Sequence, residues 1–170
     1  MSVDVGTFKR AVSRFATGVT VVATSHNGRM AGMTANAIFS LSLEPPSMVI
    51  SMQRDAESTR LLHESRRAGI SVLAAGQKEI SELFARHGGS EEKFAGGRCR
   101  AGRSGQPIVD GCISAFEVEV EEVVSVHDHD LFICRVLSIE HMDDRNPLIY
   151  WGGRYASSAD QGAVSMPEPR

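Results

Sequence analysis

The stretch from residue 113 to residue 126 constrains the fold of this chain more than any other. Between Phe116 and Val120 every second residue is apolar, and the residues between and directly after them are glutamates. A period of two is the pattern of a strand with one buried and one solvated face. The polar residues 127–130 and the apolar run 131–139 follow, as expected for a turn and a partner strand. The pattern therefore predicts a long antiparallel hairpin.

Other elements follow from local signals along the chain. The first is a helix over residues 8–16, capped by Asp4 and stopped by Gly18, and it is followed by a hairpin of residues 19–24 and 30–37 that turns at Asn27-Gly28. A core strand over residues 47–52 comes after the break Glu44-Pro45-Pro46. A short helix capped by Asp55 then ends near Ser65. In the second half they are a strand over residues 69–73, a helical face made by Ile80, Leu83 and Phe84, a polar loop over residues 98–106, and a short strand over residues 147–151.

These elements predict the fold class and the domain organisation. About six strands joined largely by hairpins, with few helices, favour a mainly β, antiparallel barrel over a doubly wound parallel sheet. A chain of 170 residues suits one domain over residues 1–170. We expect its core over about residues 8–155 and a loosely held tail over residues 156–170, which is rich in Ser, Gly, Pro and Ala.

Charge and composition exclude several classes of function. The net charge is −3 and there is no long basic run, which argues against nucleic acid as a partner. Apolar runs are far shorter than the roughly 20 residues that cross a bilayer. The chain begins without the pattern of a secretory signal, and its three cysteines form no Cys-x-x-Cys pair. Together these features predict a cytoplasmic protein.

Two segments combine residue types suited to a nucleotide-like ligand. In an extended stretch, Thr34, Asn36, Ser40 and Ser42 would share one side, and small residues there would leave room for a flat ligand. The plain alternative is a polar strand edge. Ser58-Thr59 would open the helix capped by Asp55, between Arg54 and Arg60, which is a suitable seat for a phosphate. Simple capping with solvated charges is the alternative there.

The polar residues 127–130 allow three interpretations. His127 and His129 are spaced to share one side of a strand, and Asp130 or His141 could complete a metal site. Nothing in the pattern fixes such a third ligand, so we expect no metal. A solvent-facing hairpin tip is the simplest interpretation. In the third, one imidazole lines a ligand cleft and titrates near neutral pH.

Several short motifs occur together at characteristic spacing. They are Phe15-Ala-Thr-Gly-Val-Thr-Val-Val22, Gly32-Met-Thr-Ala-Asn36, Phe39-Ser-Leu-Ser-Leu-Glu-Pro-Pro46, Phe94-Ala-Gly96, Asp128-His129 before Leu131-Phe-Ile133, Pro147-Leu-Ile-Tyr150 and Gly153-Arg-Tyr155. This set resembles the short-chain flavin reductase family, the reductase components of two-component flavin-dependent monooxygenases. The resemblance covers about residues 8–155 and implies an antiparallel split β-barrel, the FMN-binding split barrel, with a few flanking helices.

The resemblance also implies an activity and a site. It implies a hydride transfer from NADH, or NADPH, to FMN or FAD, with His129 as the catalytic residue beside the nicotinamide. The polar edge of the flavin would lie at residues 34–36, and its ribityl chain and phosphate would run along residues 51–53 and 58–59. The residues that it assigns to cofactor binding are Met33, Thr34, Ala35, Asn36, Ser40, Ser51, Met52, Gln53, Ser58, Thr59, Phe94, His129 and Tyr150.

The resemblance further implies a homodimer and delivery of reduced flavin to a separate oxygenase. An alternative is a flavin-carrying binding or electron-transfer module without NAD(P)H turnover, since one fold can host both. At two positions the chain departs from the family's usual pattern. His127 stands before the Asp-His pair and Cys134 after the Phe-Ile pair, where the family usually has glycine.

Overall fold

The computed structural model describes residues 3–142 and 144–157. In chain order they form α1 (Val5–Val12), β1 (Thr17–Gly18), β2 (Thr20–His26), β3 (Arg29–Ala35), β4 (Ile38–Leu43), β5 (Pro46–Gln53), α2 (Glu57–Ser65), β6 (Arg67–Val72), α3 (Lys78–Ala85), α4 (Ser90–Phe94), β7 (Cys99–Ala101), β8 (Pro107–Val109), β9 (Ser114–Val126), β10 (His129–His141), β11 (Leu148–Trp151) and β12 (Arg154–Ser157). The predicted mainly β class is confirmed.

A seven-stranded sheet in the order β3-β2-β6-β9-β10-β5-β4 forms the body of the fold. Every neighbouring pair in it is antiparallel. Its two edge strands, β3 and β4, are consecutive in the chain, and the sheet curls so that β2 and β5 contribute Val22 and Ile50 to one core cluster. This is the predicted antiparallel split barrel. Smaller sheets, β1-β11-β12 and β7-β8, pack beside it.

Strand β2 is buried on both faces, which explains its uninterrupted apolar sequence. Val22 faces the barrel interior, where it packs with Phe132 and other residues of the first core cluster. Val21 faces outward into a second cluster, which it shares with Phe84 of α3 and Leu148 of β11. Helix α3 and the sheet β1-β11-β12 therefore cover this part of the outside of the barrel.

Both predicted hairpins are confirmed. Asn27 and Gly28 have φ values of 49° and 76°, so both lie in the left-handed region that a tight hairpin turn requires. The turn between β9 and β10 is shorter than the sequence indicated, because it consists of His127 and Asp128 alone. His129 and Asp130, predicted as part of a polar turn, are the first two residues of β10.

Three local predictions are wrong. Helix α1 has its N-cap at Asp4 as expected, but it ends at Val12 because the chain turns there and Thr17 pairs with Tyr150 of β11. The cap of α2 is Ala56, without a side-chain hydrogen bond, rather than Asp55. The predicted loop over residues 98–106 contains the strand β7, which pairs with β8.

The last described strand reaches into the region predicted as a tail. Residues 156 and 157 belong to β12 and pair with β11. Residues 158–170 lie outside the described residues. No helix within residues 3–142 and 144–157 is long and apolar enough to cross a membrane, and the cytoplasmic location stays a prediction.

Glu117 was expected on the solvated face of β9, but it is buried and holds the connection between β7 and β8 in place. Its carboxylate accepts hydrogen bonds from the Arg103 and Ser104 amides at 2.7 and 2.8 Å. The hydroxyls of Ser104 and Ser138 also donate to it. Burial by itself would raise the pKa of Glu117, but these hydrogen bonds together lower it below its ordinary value.

Replacing this carboxylate tests its contribution to stability. We expect Glu117→Gln to lower the free energy of unfolding at neutral pH by about 2 kcal/mol, because charge-assisted hydrogen bonds become neutral ones and an amide N–H then faces donors. The folded-state pKa lies below the ordinary 4.5. The difference between the two proteins should therefore persist above that value and shrink as the pH falls through the folded-state pKa. Urea unfolding at several pH values measures it.

The control is Glu121→Gln, which removes an exposed carboxylate from the same strand. Glu121 pairs with Arg135 at 3.3 Å, with both side chains nearly half exposed. Exposed pairs of this kind contribute about 0.5 kcal/mol. A variant at position 117 that is as stable as this control would contradict the anchoring role.

Candidate functional site

A cleft of about 550 Å³ lies on the outer side of the barrel, where β3, the start of α2 and the end of α3 meet. Its size is within the range of small-molecule and cofactor sites. The residues lining it are Arg29, Ala31, Gly32, Met33, Thr34, Gln53, Asp55, Ala56, Glu57, Ser58, Arg60, Phe84, Ala85, Arg86, His87, Gly88 and Lys93.

The wall formed by β3 depends on a close approach between Gly32 and Phe84. A Cβ atom at Gly32 would lie 2.9 Å from Phe84 Cε1 and 3.1 Å from the Val22 carbonyl oxygen, so a larger residue would push α3 away from the strand. Two residues further on, the Thr34 hydroxyl donates to the Ser81 carbonyl of α3 at 2.6 Å. The strand and the helix thus hold each other at a fixed spacing.

The second wall is the N-terminus of α2. Its N-cap, Ala56, makes no side-chain hydrogen bond to the first-turn amides. Ser58 is buried and lines the cleft, whereas the Thr59 hydroxyl donates to the Gln53 carbonyl at 2.7 Å and so fixes the turn that leads into the helix. A helix N-terminus with uncapped amides attracts anions.

Positive charge exceeds negative charge around the cleft. Four cationic side chains and two carboxylates line it: Arg29, Arg60, Arg86 and Lys93 against Asp55 and Glu57. Arg29 and Arg86 pair with Glu64 and Glu92. Arg60 forms no ion pair within the described part of the chain, and its guanidinium donates to the Asp55 carbonyl. Its charge is therefore available to an anionic ligand.

Lys93 is a buried cation at the base of the cleft. Its ammonium donates to the Gly32 carbonyl at 3.2 Å and to the Arg86 carbonyl at 2.7 Å, so it ties β3 to the segment that follows α3. Burial lowers the pKa of Lys93, and the nearby Glu57 carboxylate opposes that shift. The ammonium has a third N–H to offer beyond these two bonds.

A smaller cavity of about 250 Å³ adjoins the cleft and shares Thr34 and Ala85 with it. Asn36 and Tyr150 line this second cavity. The Asn36 amide donates to the Thr17 hydroxyl at 3.3 Å, and the Tyr150 ring packs edge-on against Tyr155 at 5.3 Å. Residues from distant parts of the chain thereby extend the cleft along β3.

His129 lies beside the cleft rather than in its lining. It is the first residue of β10 and pairs across the sheet with Gln53, which does line the cleft. Its Nδ1 atom is 2.9 Å from the Asp128 carboxylate, and this hydrogen bond lowers the pKa of Asp128. The imidazole side chain is about half exposed.

The predicted binding residues divide into three groups. Met33, Thr34, Gln53 and Ser58 line the main cleft, and Asn36 and Tyr150 join Thr34 in the adjoining cavity. Ala35, Met52 and Thr59 are buried, so mainly their backbone can face a ligand.

The remaining predicted residues, Phe94, Ser51 and Ser40, are not part of the lining of either cavity. Phe94 packs edge-on against Phe84 with ring centroids 5.5 Å apart. Ser51 pairs with Leu131 in the sheet, and its amide donates to the Ala37 carbonyl. Ser40 is exposed on the edge strand β4, opposite Met48. The structure therefore does not bring Ser40 together with the cleft residues.

The residues that line the cleft but were not predicted include the titratable side chains of Arg29, Glu57, Arg86, His87 and Lys93. Arg29 follows the turn of the first hairpin, and the last three stand in or near a glycine-containing connection. Only the position of Lys93 directly before the motif Phe94-Ala-Gly96 could have drawn attention to it.

The metal interpretation has no geometric support in the described residues. Within residues 3–142 and 144–157, no group of three or more His, Cys, Asp or Glu side chains is arranged to hold a metal ion. His129 and His141 are the two ends of a strand of 13 residues. At about 3.3 Å per residue they are roughly 40 Å apart.

Comparisons with known proteins agree with this architecture. The family model described as "Flavin reductase like domain" matches residues 12–159. An FMN reductase (NADH) RutF of Cronobacter sakazakii is 36% identical over 148 residues, which are 87% of this chain and 89% of that protein.

Two solved structures have the same fold. The styrene monooxygenase flavin reductase from Pseudomonas putida S12 is 33% identical with a TM-score of 0.81, over 89% of this chain and 96% of that one. The NADH:FAD oxidoreductase SgcE6 of Streptomyces globisporus, in complex with NAD and FAD fragments, is 29% identical with a TM-score of 0.87, over 94% and 96%. The chain described here belongs to the flavin reductase-like domain family.

Proposed function

We propose that this chain is an NAD(P)H:flavin oxidoreductase that transfers a hydride from NADH to FMN or FAD. The observation that carries the proposal is the cleft between β3 and α2. It combines a helix N-terminus without a side-chain cap with Arg60, which forms no ion pair with another described residue. Amide and guanidinium donors suit a phosphate, and the space beside the small residues of β3 suits a flat ring system. The donor set therefore fits a flavin nucleotide.

The binding roles follow from these positions. We assign the phosphate end to the first-turn amides of α2, Ser58 and Arg60, and the polar edge of the ring to the backbone of residues 34–36. The cofactor-binding set that we propose is Met33, Thr34, Ala35, Asn36, Ser51, Met52, Gln53, Ser58, Thr59, Phe94, His129 and Tyr150, to which Arg60 and Lys93 are added. Ser40 is left out of this set because it lies on β4, outside the lining of the cleft.

The chain needs no nucleophile for this reaction. When bound, the flavin and the nicotinamide supply the redox chemistry, a hydride passing from C4 of the nicotinamide to N5 of the flavin. The polar edge of the ring would lie against the backbone of residues 34–36, where an N–H group that is not paired with β2 would donate a hydrogen bond to it. Lys93 adds a positive charge at the base of the cleft. His129, at the rim beside Gln53, orients the nicotinamide.

Release of the reduced flavin to a partner monooxygenase completes the proposed function. The cleft lies on the outer surface of the barrel, so a ligand there has a direct path to solvent. One relative is a styrene monooxygenase flavin reductase, and this similarity supports a role of this kind. A flavin carrier without turnover would hold its ligand and would not consume NADH.

A homodimer is part of the same proposal. Phe15 of the segment after α1 is 74% exposed, and Leu43 of β4 is 85% exposed. Phe8, Val12 and Phe39 add further exposed apolar surface on α1 and β4. Phe8, Val12 and Phe15 line one groove, and large contiguous apolar patches are rare on monomers and typical of interfaces. A second copy of the chain that covers them would also close the groove lined by Phe15, Asn36 and Tyr150.

The primary test is NADH oxidation by the purified chain, and its most informative variant is His129→Ala. We expect NADH consumption that depends on added FMN or FAD. His129→Ala should lower kcat/KM for NADH about tenfold, since a lost orienting contact of about 1.4 kcal/mol corresponds to that factor. Its flavin affinity, measured by fluorescence quenching, should stay close to that of the wild type.

NADPH assayed beside NADH establishes the preferred donor. A wild-type chain that binds flavin but oxidises neither nucleotide would be a carrier and would contradict the proposed activity. If NADH kinetics are unchanged in His129→Ala, the role given to the imidazole is wrong.

Arg60→Gln tests the phosphate seat. We expect the affinity for FMN to fall about tenfold, because a charge-assisted hydrogen bond contributes about 1.5–3 kcal/mol, whereas riboflavin, which lacks the phosphate, should bind as before. Arg54→Gln is the matched control, since Arg54 precedes the same helix but its guanidinium bonds to Asp130. If the affinities for FMN and riboflavin fall equally, Arg60 does not contact the phosphate.

The interface is tested by the mass of the chain in solution. Sedimentation should give twice the chain mass for the wild type. A double variant, Phe15→Asp with Phe39→Asp, should give monomers, because burying two carboxylates in an apolar interface is costly. Lys78→Asp, a charge change on α3 in an exposed i,i+4 pair with Glu82, serves as control. A monomeric wild type would contradict the dimer.

A further inference from the structure

Asp130 is a buried carboxylate that the proposed mechanism does not use. Its side chain is only 2% exposed, and it is the second residue of β10, next to His129. A charge in such a position is costly unless hydrogen bonds and opposite charges compensate for it. Its partners therefore indicate what it holds in place.

Three partners from three different segments of the chain meet at this carboxylate. The Ser125 hydroxyl of β9 donates to Oδ1 at 2.7 Å, and Arg54 Nε donates to the same oxygen at 3.3 Å. His63 Nε2 of α2 lies 2.8 Å from Oδ2. The bond from Ser125 lowers the pKa of Asp130, burial opposes the shift, and His63 and Arg54 add to the lowering. The group is therefore a carboxylate in the folded chain.

The contacts of Asp130 connect the hairpin tip to the segment between β5 and α2. The Arg54 amide donates to the Asp128 carbonyl at 2.9 Å, so the same arginine is tied to the tip by both its backbone and its side chain. Gln53, Asp55 and Ala56, on either side of Arg54, line the cleft. A displacement of the tip would thus move His129 relative to the cleft.

The start of α2 has separate supports that do not involve Asp130. The Thr59 hydroxyl and the Ala56 amide both donate to the Gln53 carbonyl, at 2.7 and 3.2 Å. Arg60 donates to the Asp55 carbonyl. Weakening the Asp130 contacts therefore loosens the hairpin tip and leaves the proposed phosphate seat intact.

We propose that Asp130 is a positioning residue that fixes the hairpin tip carrying His129 against the wall of the cleft, through Arg54 and His63. The proposal rests on the proposed flavin reductase activity. It assigns to Asp130 an effect on NADH use and none on flavin binding. It also predicts that Arg54, although it is close to the helix start, does not bind the phosphate, because its guanidinium is engaged by Asp130.

The test is Asp130→Asn, which keeps the size of the side chain and removes its charge. We expect kcat/KM for NADH to fall about tenfold, since small displacements of positioning groups have effects of this order or larger. The loss should appear in KM rather than in kcat, because the tip contacts the nicotinamide in the ground state and in the transition state alike. The flavin dissociation constant should change less than about twofold.

Two further variants separate positioning from general destabilisation. Glu140→Gln removes a carboxylate paired with Arg100 at the far end of the same strand, and it should leave the NADH kinetics unchanged. Arg54→Gln should reproduce the rise in KM. In the double variant with Asp130→Asn, the KM for NADH should rise little above that of Asp130→Asn alone, because both substitutions remove the same contact. Arg54→Gln also replaces Asp130→Asn as the test if the latter does not fold.

The outcomes distinguish this inference from the proposed function. A lower melting temperature of Asp130→Asn with wild-type kcat/KM for NADH would show a purely structural role and overturn the inference. Equal losses in flavin and NADH binding would overturn it as well. An inactive wild type would contradict the proposed activity itself, and the positioning role would fall with it.

Discussion

The pairing of β10 with both β9 and β5 is the interaction on which the site depends. β10 is hydrogen-bonded on one side to β9 and on the other to β5, and this register puts His129 directly opposite Gln53. A slip by one residue would turn every side chain of β10 to the opposite face, moving Phe132 out of the core. The packing of the barrel interior therefore determines which residues stand at the rim of the cleft.

The outer wall of the cleft depends in turn on the two-sided burial of β2. Because Val21 faces outward into the second core cluster, α3 packs against the barrel through Phe84. Phe84 then requires a glycine at position 32, and the segment following α3 brings Lys93 under the strand. One apolar strand thus supports the barrel on one face and the binding wall on the other.

The sequence predicted best what local patterns determine. Alternation in β9 and the Asn27-Gly28 turn act over a few residues, and both hairpins have the predicted pairing. The end of α1 was missed because the pairing of Thr17 with Tyr150 joins residues far apart in the chain. Glu117 was missed for a related reason: its partners in the connection between β7 and β8 have no periodic pattern.

The candidate site divides in the same way. Residues 33–34, Gln53 and Ser58 stand out in the sequence as motifs, and they line the cleft. Lys93 and Arg86 have no such signal, because a lysine is exposed in most contexts and its burial here depends on two carbonyls from separate elements. The cap of α2 was predicted at Asp55, because an acidic residue just before a helix is a common N-cap. The helix begins one residue later than that prediction requires, so Ala56 is the N-cap.

The two departures from the family's usual glycines have different physical consequences. Cys134 is completely buried in the barrel core, where its Sγ lies 3.5 Å from the Phe132 carbonyl, so its added side chain fills interior space and does not narrow the cleft. His127 is in the turn with a φ of 52°, a conformation that glycine adopts more readily. The turn therefore retains the shape that glycine would give it, at a modest cost in strain. The contacts of Asp130 and the Arg54 amide at the adjoining residues oppose that strain and keep the tip in place.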